Sequence, residues 1–272
     1  MAKQGEIDYF KNADEGMRRH ALGKPFSDPS CGKFLLQIGT IMTILPPPPA
    51  KLLDLGCGTG WTSIFLARMG FEVTGVDIAP DMIHHANQAR DKEGLTNLRF
   101  MVLDYEDLPF DEEFDCAVFF DSLHHAVDEE LAIMKTFRAL KAGGVCIASE
   151  PGTGHREAAI SRNAVEKFNV TEKDMPPEQI VNLGRKAGFS RFRVFPHPFE
   201  LNHFLFVENR TAALTDPFSI APPLPPVRKP RRTLLRRLFR KRSKSPPPPR
   251  YVEVVQAHYW NLRNAGLVLM VK

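Results

Sequence analysis

Between Leu53 and Gly60 the chain reads Leu-Asp-Leu-Gly-Cys-Gly-Thr-Gly, directly after the apolar run that starts at Lys51 and directly before the helix-forming stretch Trp61–Met69. Glycines at three alternate positions let the backbone turn tightly and come close to a neighbour or a ligand. Few folds demand that of a segment where a strand must end and a helix begin within five residues. Downstream the pattern repeats. Strands are expected at 71–77, 98–103, 114–120, 145–149 and 189–195, with helices at about 80–92, 128–140 and 177–187 between them. Pro80 suits a first helical turn, and Lys141-Ala-Gly-Gly144 suits a helix C-cap. Strands alternating with helices at this spacing predict an α/β fold with a doubly wound parallel sheet.

The ends of the chain follow different rules. Residues 1–49 read as an N-terminal helical cap that stops at the four prolines Pro46–Pro49. The apolar run Leu267–Lys272 reads as a last strand docked in the sheet. The core is therefore expected at 50–198 plus 265–272, with 199–264 as an insertion. Eleven of the 36 Lys/Arg lie between Pro222 and Arg250, where there is no Asp or Glu. Without them the formal charge of +4 becomes −7, so the basic character belongs to one proline-rich segment.

Composition excludes some classes. No run reaches the roughly 18–20 apolar residues a membrane span needs. The first residues mix charges and lack the apolar stretch of a secretory signal, and Cys31, Cys57, Cys116 and Cys146 show no metal-ligand spacing. Reduced thiols in a cytoplasmic protein are expected. His124 and His125 are adjacent rather than four apart, so the spacing predicts no metal site.

A sheet of this type holds its ligand where the strands end. Three strand ends carry matching chemistry. The glycine loop has Trp61 where a dinucleotide-binding loop would have its third glycine, which favours a compact nucleoside and amino acid over a pyrophosphate. That position also argues against a nicotinamide-dependent oxidoreductase. Asp77 ends the second strand, placed to accept from both hydroxyls of a ribose. Asp104-Tyr105 ends the third, a carboxylate for an exocyclic amine beside an aromatic for a base.

At these residues the sequence resembles the class I S-adenosylmethionine-dependent methyltransferases. LDLGCGTG is similar to their first motif, GVDIAPDMI to their ribose-binding strand end and MVLDYEDLPF to their adenine-binding stretch. FDCAVFFDSLHH and LKAGGVCIASEPG are similar to their fourth and fifth strands. The resemblance covers roughly residues 50–195. It implies a Rossmann-like sheet of seven strands, the last antiparallel and inserted beside the fifth, with helices on both faces. It implies S-adenosyl-L-methionine as cofactor. Asp54, Gly56, Cys57, Gly58, Thr59 and Gly60 would line its methionine part, and Asp77, Ile78 and Met82 its ribose and adenine. Asp104 and Tyr105 would flank the base, while Asp121 and Leu123 would lie beside the sulfonium.

Methyl transfer from a sulfonium needs alignment first, and a base when the acceptor is a hydroxyl. The acceptor-side candidates are His124, His125 and Glu150, with His155 behind them. EPGTGH and the stretch Phe168–Phe189 resemble bacterial methyltransferases associated with glycosyltransferases, which implies a glycan, a glycolipid or a related small molecule as acceptor. N- or C-methylation of a lipid, quinone or other metabolite is the same-fold alternative. A non-catalytic scaffold is the alternative of another class. In the basic segment, 231–242 puts Leu234, Leu235, Leu238 and Phe239 near one helical face among arginines. Residues 228–244 are thus expected at an anionic membrane surface, and the scarcity of aromatics disfavours nucleic acid.

Overall fold

The computed structural model describes residues 2–197 and 264–272. Three helices come first, α1 (Ala2–Asn12), α2 (Glu15–Leu22) and α3 (Cys31–Ile44). Then follow β1 (Lys51–Leu55), α4 (Trp61–Met69), β2 (Glu72–Asp77), α5 (Pro80–Glu93), β3 (Leu98–Val102) and β4 (Phe114–Phe120). The remaining elements are α6 (Glu129–Ala139), β5 (Leu140–Glu150), α7 (Ala159–Phe168), α8 (Pro177–Ala187), β6 (Arg191–Phe195) and β7 (Gly266–Val271).

The seven strands form one sheet in the order β3-β2-β1-β4-β5-β7-β6. The pairs β1–β2, β2–β3, β1–β4 and β4–β5 are parallel. Strand β7 runs antiparallel between β5 and β6, pairing Cys146 with Met270 on one side and Phe192 with the same residue on the other. The expected final strand is therefore there, beside the fifth. Its buried Leu267, Val268 and Met270 explain why this apolar run is part of the core.

Burial on both faces follows from the near-continuous apolar character of the strands. On one face Ile38 and Ile41 of α3, Leu66 of α4 and Ile83 and Ala86 of α5 pack against Leu52, Val73, Cys116 and Ile147. On the other, Ala132 and Ile133 of α6 and Ile180 and Leu183 of α8 pack against Leu53, Leu55, Ala117 and Ala148. The strand order reverses between β1 and β4, so the carboxyl ends of these two strands flank the crevice where such sheets take ligands.

One local expectation is corrected. Helix α6 ends at Ala139, Leu140 is already extended, and Lys141–Gly144 belongs to the start of β5. Leu140 pairs with Phe114, but Val145 is the residue that pairs with Cys116. The surplus residues bulge, and Gly143 takes the positive φ of 75° that the bulge needs. The two glycines shape an irregular strand start and cap no helix.

The expected insertion 199–264, with its basic part 222–250 and the membrane segment 228–244, lies outside the described residues except for residue 264. Among the described residues no helix is long and apolar enough to cross a membrane.

Candidate functional site

The loop after β1 is built from left-handed glycines. Gly56, Gly58 and Gly60 have φ of 71°, 52° and 84°, where a side chain would be strained. Two of them also have no room. A Cβ on Gly56 would stand 2.6 Å from that of Ser122, and one on Gly60 would stand 2.5 Å from the Phe100 ring. Gly58 instead looks into open space, with nothing within 4 Å of where a Cβ would be. The peptide N–H groups of Gly56 and Cys57 both donate to the Val76 carbonyl, tying the loop to β2.

Asp77 sits at the hinge of this arrangement. One carboxylate oxygen accepts from the Gly58 N–H and the other from the Ala79 N–H, each at 2.9 Å. Burial raises its pKa while these two donors lower it. Each oxygen keeps a lone pair for a further donor. Ile78 is half-buried in the same turn and Met82 in the first turn of α5.

Asp54 lies beneath the loop and takes no place in its lining. It is 1% exposed, and its Oδ2 accepts from Thr62 Oγ1 at 2.7 Å and Ser63 Oγ at 2.5 Å. Its role is to fasten the loop to the N-terminus of α4. Cys57 is buried in the apolar core, and Thr59 donates to the Ala21 carbonyl of α2.

The third strand end is shared with α1. Asp104 accepts from Lys3 Nζ at 2.6 Å and from the Glu106 N–H at 2.8 Å, and the same ammonium lies 2.9 Å from Glu106. Tyr105 turns inward. Its hydroxyl donates to the Ser122 carbonyl, its ring meets Phe119 edge-on, and it lies 3.5 Å from the Gly56 Cβ position. It supports the glycine loop rather than standing open as a platform. Helix α1 crosses the carboxyl edge of the sheet, with Phe10 against His85 and Tyr9 against Phe168. A Cβ on Gly5 would land on the Asn169 carbonyl, so α1 docks on the end of α7 by close backbone approach.

Beyond β4 the chain makes a strained turn. Asp121 is exposed, has φ of 55°, and is followed by a single 3-10 turn over Leu123–His125. Glu150, at the end of β5, holds that turn together. Its Oε1 accepts from the N–H groups of Ser122 and Leu123, and its Oε2 from the His124 N–H and from His124 Nδ1 at 2.8 Å. Burial pushes Glu150 up, to about 7, against those peptide donors, and burial pushes His124 down, to about 3. Three peptide N–H groups already donate to Glu150, and a carboxylate there takes the fourth donor from His124 Nδ1. Glu150 is thereby spent on positioning, and the Leu123 side chain lies in the core.

The free edge of His124 faces residues that the sequence alone does not connect to it. Its Nε2 is 3.6 Å from Glu172 Oε2, and His155 Nε2 is 2.6 Å from the same oxygen. His125 stacks on His124 with ring centroids 4.0 Å apart and donates from Nδ1 to the Thr171 carbonyl at 2.7 Å. Burial lowers the His125 pKa, but Glu6, 3.5 Å away, and Glu172 outweigh it and raise it to about 9.

The family described as a methyltransferase domain matches residues 48–187, which hold β1 through α8 and every strand end just described. The chain belongs to the class I S-adenosylmethionine-dependent methyltransferases. Its family's cofactor is S-adenosyl-L-methionine. It is 36% identical over 105 residues to an S-adenosyl-L-methionine-dependent Diels–Alderase of Talaromyces variabilis, covering 36% of this chain and 35% of that one. It is 33% identical over 104 residues to a ubiquinone biosynthesis O-methyltransferase of Xanthomonas campestris pv. campestris, covering 38% and 43%. The chain thus spans less than half the length of these curated relatives. The fold is shared with phosphoethanolamine N-methyltransferase 2 of Haemonchus contortus in complex with S-adenosyl-L-methionine, at a TM-score of 0.62 and 19% identity. That match covers all of this chain and 59% of the other.

The candidate site at these strand ends therefore has two unequal halves. The glycine loop and Asp77 fit the cofactor: Gly58 faces free space beside a carboxylate with spare lone pairs. Glu172, Glu6 and Lys3 were missed in the sequence. Nothing local in the sequence marks any of the three.

Proposed function

We propose that this methyltransferase transfers a methyl group to a hydroxyl oxygen of a small molecule, a glycan or glycolipid first among the acceptors. The observation that carries the reading is His124, pinned by Glu150 through Nδ1 and turned through Nε2 toward Glu172. When bound, the cofactor supplies an electrophilic methyl on sulfur. The residues of this chain do the rest. Asp77 and the glycine loop orient the donor, α1 covers it, and the Glu172–His155 pair that faces His124 receives the hydroxyl proton. Such an acid–base group is worth about 10²- to 10⁴-fold in rate. An amine or a carbon acceptor has less use for it.

The test is transfer of a labelled methyl from S-adenosylmethionine to matched panels of sugars and glycolipids, quinols, and amines. Product in the first panel supports the reading. Product in the quinols keeps hydroxyl methylation and replaces the acceptor class. Product only in the amines, or cofactor binding with no product, overturns it. Contact with an anionic bilayer through 228–244 rests on the charge and apolar pattern of that segment alone. Flotation with acidic liposomes should be lost when those residues are deleted, and equal flotation would remove the idea.

A further inference from the structure

We propose that the acceptor face is a divalent-cation site, held by Nε2 of His124, Nε2 of His125 and the carboxylate of Glu172. It rests on the reading that this face receives the acceptor. One nitrogen from each ring and one carboxylate oxygen all lie within 4.8 Å of one another. A cation bound at about 2.0–2.2 Å spaces its tetrahedral ligands about 3.3–3.6 Å apart. The 3.6 Å between His124 Nε2 and Glu172 Oε2 is that edge already.

What lifts this above a chance cluster is that every ligand has its own outer partner. Ligating histidines usually donate the other ring N–H to a carboxylate or carbonyl, which fixes the tautomer and the ring. His124 donates from Nδ1 to Glu150, and His125 donates from Nδ1 to the Thr171 carbonyl. Both rings therefore offer Nε2. Glu172 is held in turn by His155 Nε2, with Ser161 Oγ 3.3 Å from the same nitrogen. Glu6 next to His125 adds negative charge just outside. Two imidazoles and one carboxylate with a position left open suit zinc or another first-row divalent ion acting on a bound oxygen. The adjacent spacing of the histidines concealed the site, because the third ligand comes from a segment 47 residues further on.

The experiment is titration of the purified full chain, freed of metal by a chelator, with Zn²⁺ against a chromophoric competitor, and with Co²⁺ by visible absorption. S-adenosylhomocysteine affinity of the same samples reports folding and the donor half. The native chain should bind one equivalent. Glu172→Gln and His125→Ala should weaken binding by more than about 100-fold, and His155→Ala by about 10–100-fold as an outer partner. His84→Ala, exposed on α5, should change nothing. No stoichiometric binding by the native chain, or equal binding by Glu172→Gln, overturns the proposal. Hydroxyl methylation that persists in a chain shown to hold no metal overturns the site and leaves the proposed function standing. One equivalent bound in a chain that methylates no hydroxyl keeps the site and removes the function.

Discussion

The two halves of the ligand crevice are built in opposite ways. On the donor side, β1, the glycine loop and β2 place the loop and its carboxylate within residues 51–79, and the decisive bonds are peptide N–H groups aimed at Asp77 and Val76. On the acceptor side, Glu6, His124, Glu150, His155 and Glu172 come from five separate places in the chain and meet through side chains. A half made of local backbone can be kept unchanged while acceptors vary. A half made of distant side chains can be altered one residue at a time.

If the division is right, substitutions on the two sides should fail differently. The largest effect is expected at Asp77. Removing an acceptor of two charge-assisted hydrogen bonds costs about 1.5–3 kcal/mol for each, so Asp77→Ala should weaken S-adenosylhomocysteine binding by at least roughly 100-fold in calorimetry. Loss of turnover with intact binding would break the comparison at its strongest point.

Asp54→Ala should act on stability instead. It leaves the buried Thr62 and Ser63 hydroxyls without their acceptor, at a cost of about 2–4 kcal/mol readable from the urea midpoint. A variant as stable as the native chain would show that the loop is held by other means. Glu172→Gln should lower methyl transfer by about 10- to 100-fold and leave S-adenosylhomocysteine affinity within about threefold. Equal losses in both would mean that the halves are one unit.

The smallest effect tests the roof. Gly5→Val cannot keep α1 against the Asn169 carbonyl. Amide exchange over residues 2–12 should accelerate, and cofactor affinity should fall by about 10-fold, near 1.4 kcal/mol. Unchanged exchange would show that Tyr9 and Lys3 suffice to hold the helix.

The same division explains what could be read from the amino acids alone. The sheet, its last strand, the loop and Asp77 were legible because each depends on neighbours within a few residues or on an apolar run with one use, whereas the antiparallel direction of that strand came only from the family resemblance. His124 was legible as a candidate only because it follows a strand end. Glu150 reads as a base from its position at the end of β5, yet four donors converge on it, and no spacing rule reveals that. Tyr105 carries an aromatic signal, but the tight space over Gly56 decides which way it turns. The Lys141–Gly144 stretch has the composition of a helix cap, and pairing of Leu140 with Phe114 made it a strand start.

The donor half should bind the cofactor without help from the side chains of the acceptor face. Calorimetric titration of S-adenosylhomocysteine into the native chain, Asp77→Ala and Glu172→Gln tests it in one series. Tight binding by the native chain, none measurable for Asp77→Ala, and native affinity for Glu172→Gln are expected. Binding that survives Asp77→Ala, or that falls as far with Glu172→Gln, would contradict it.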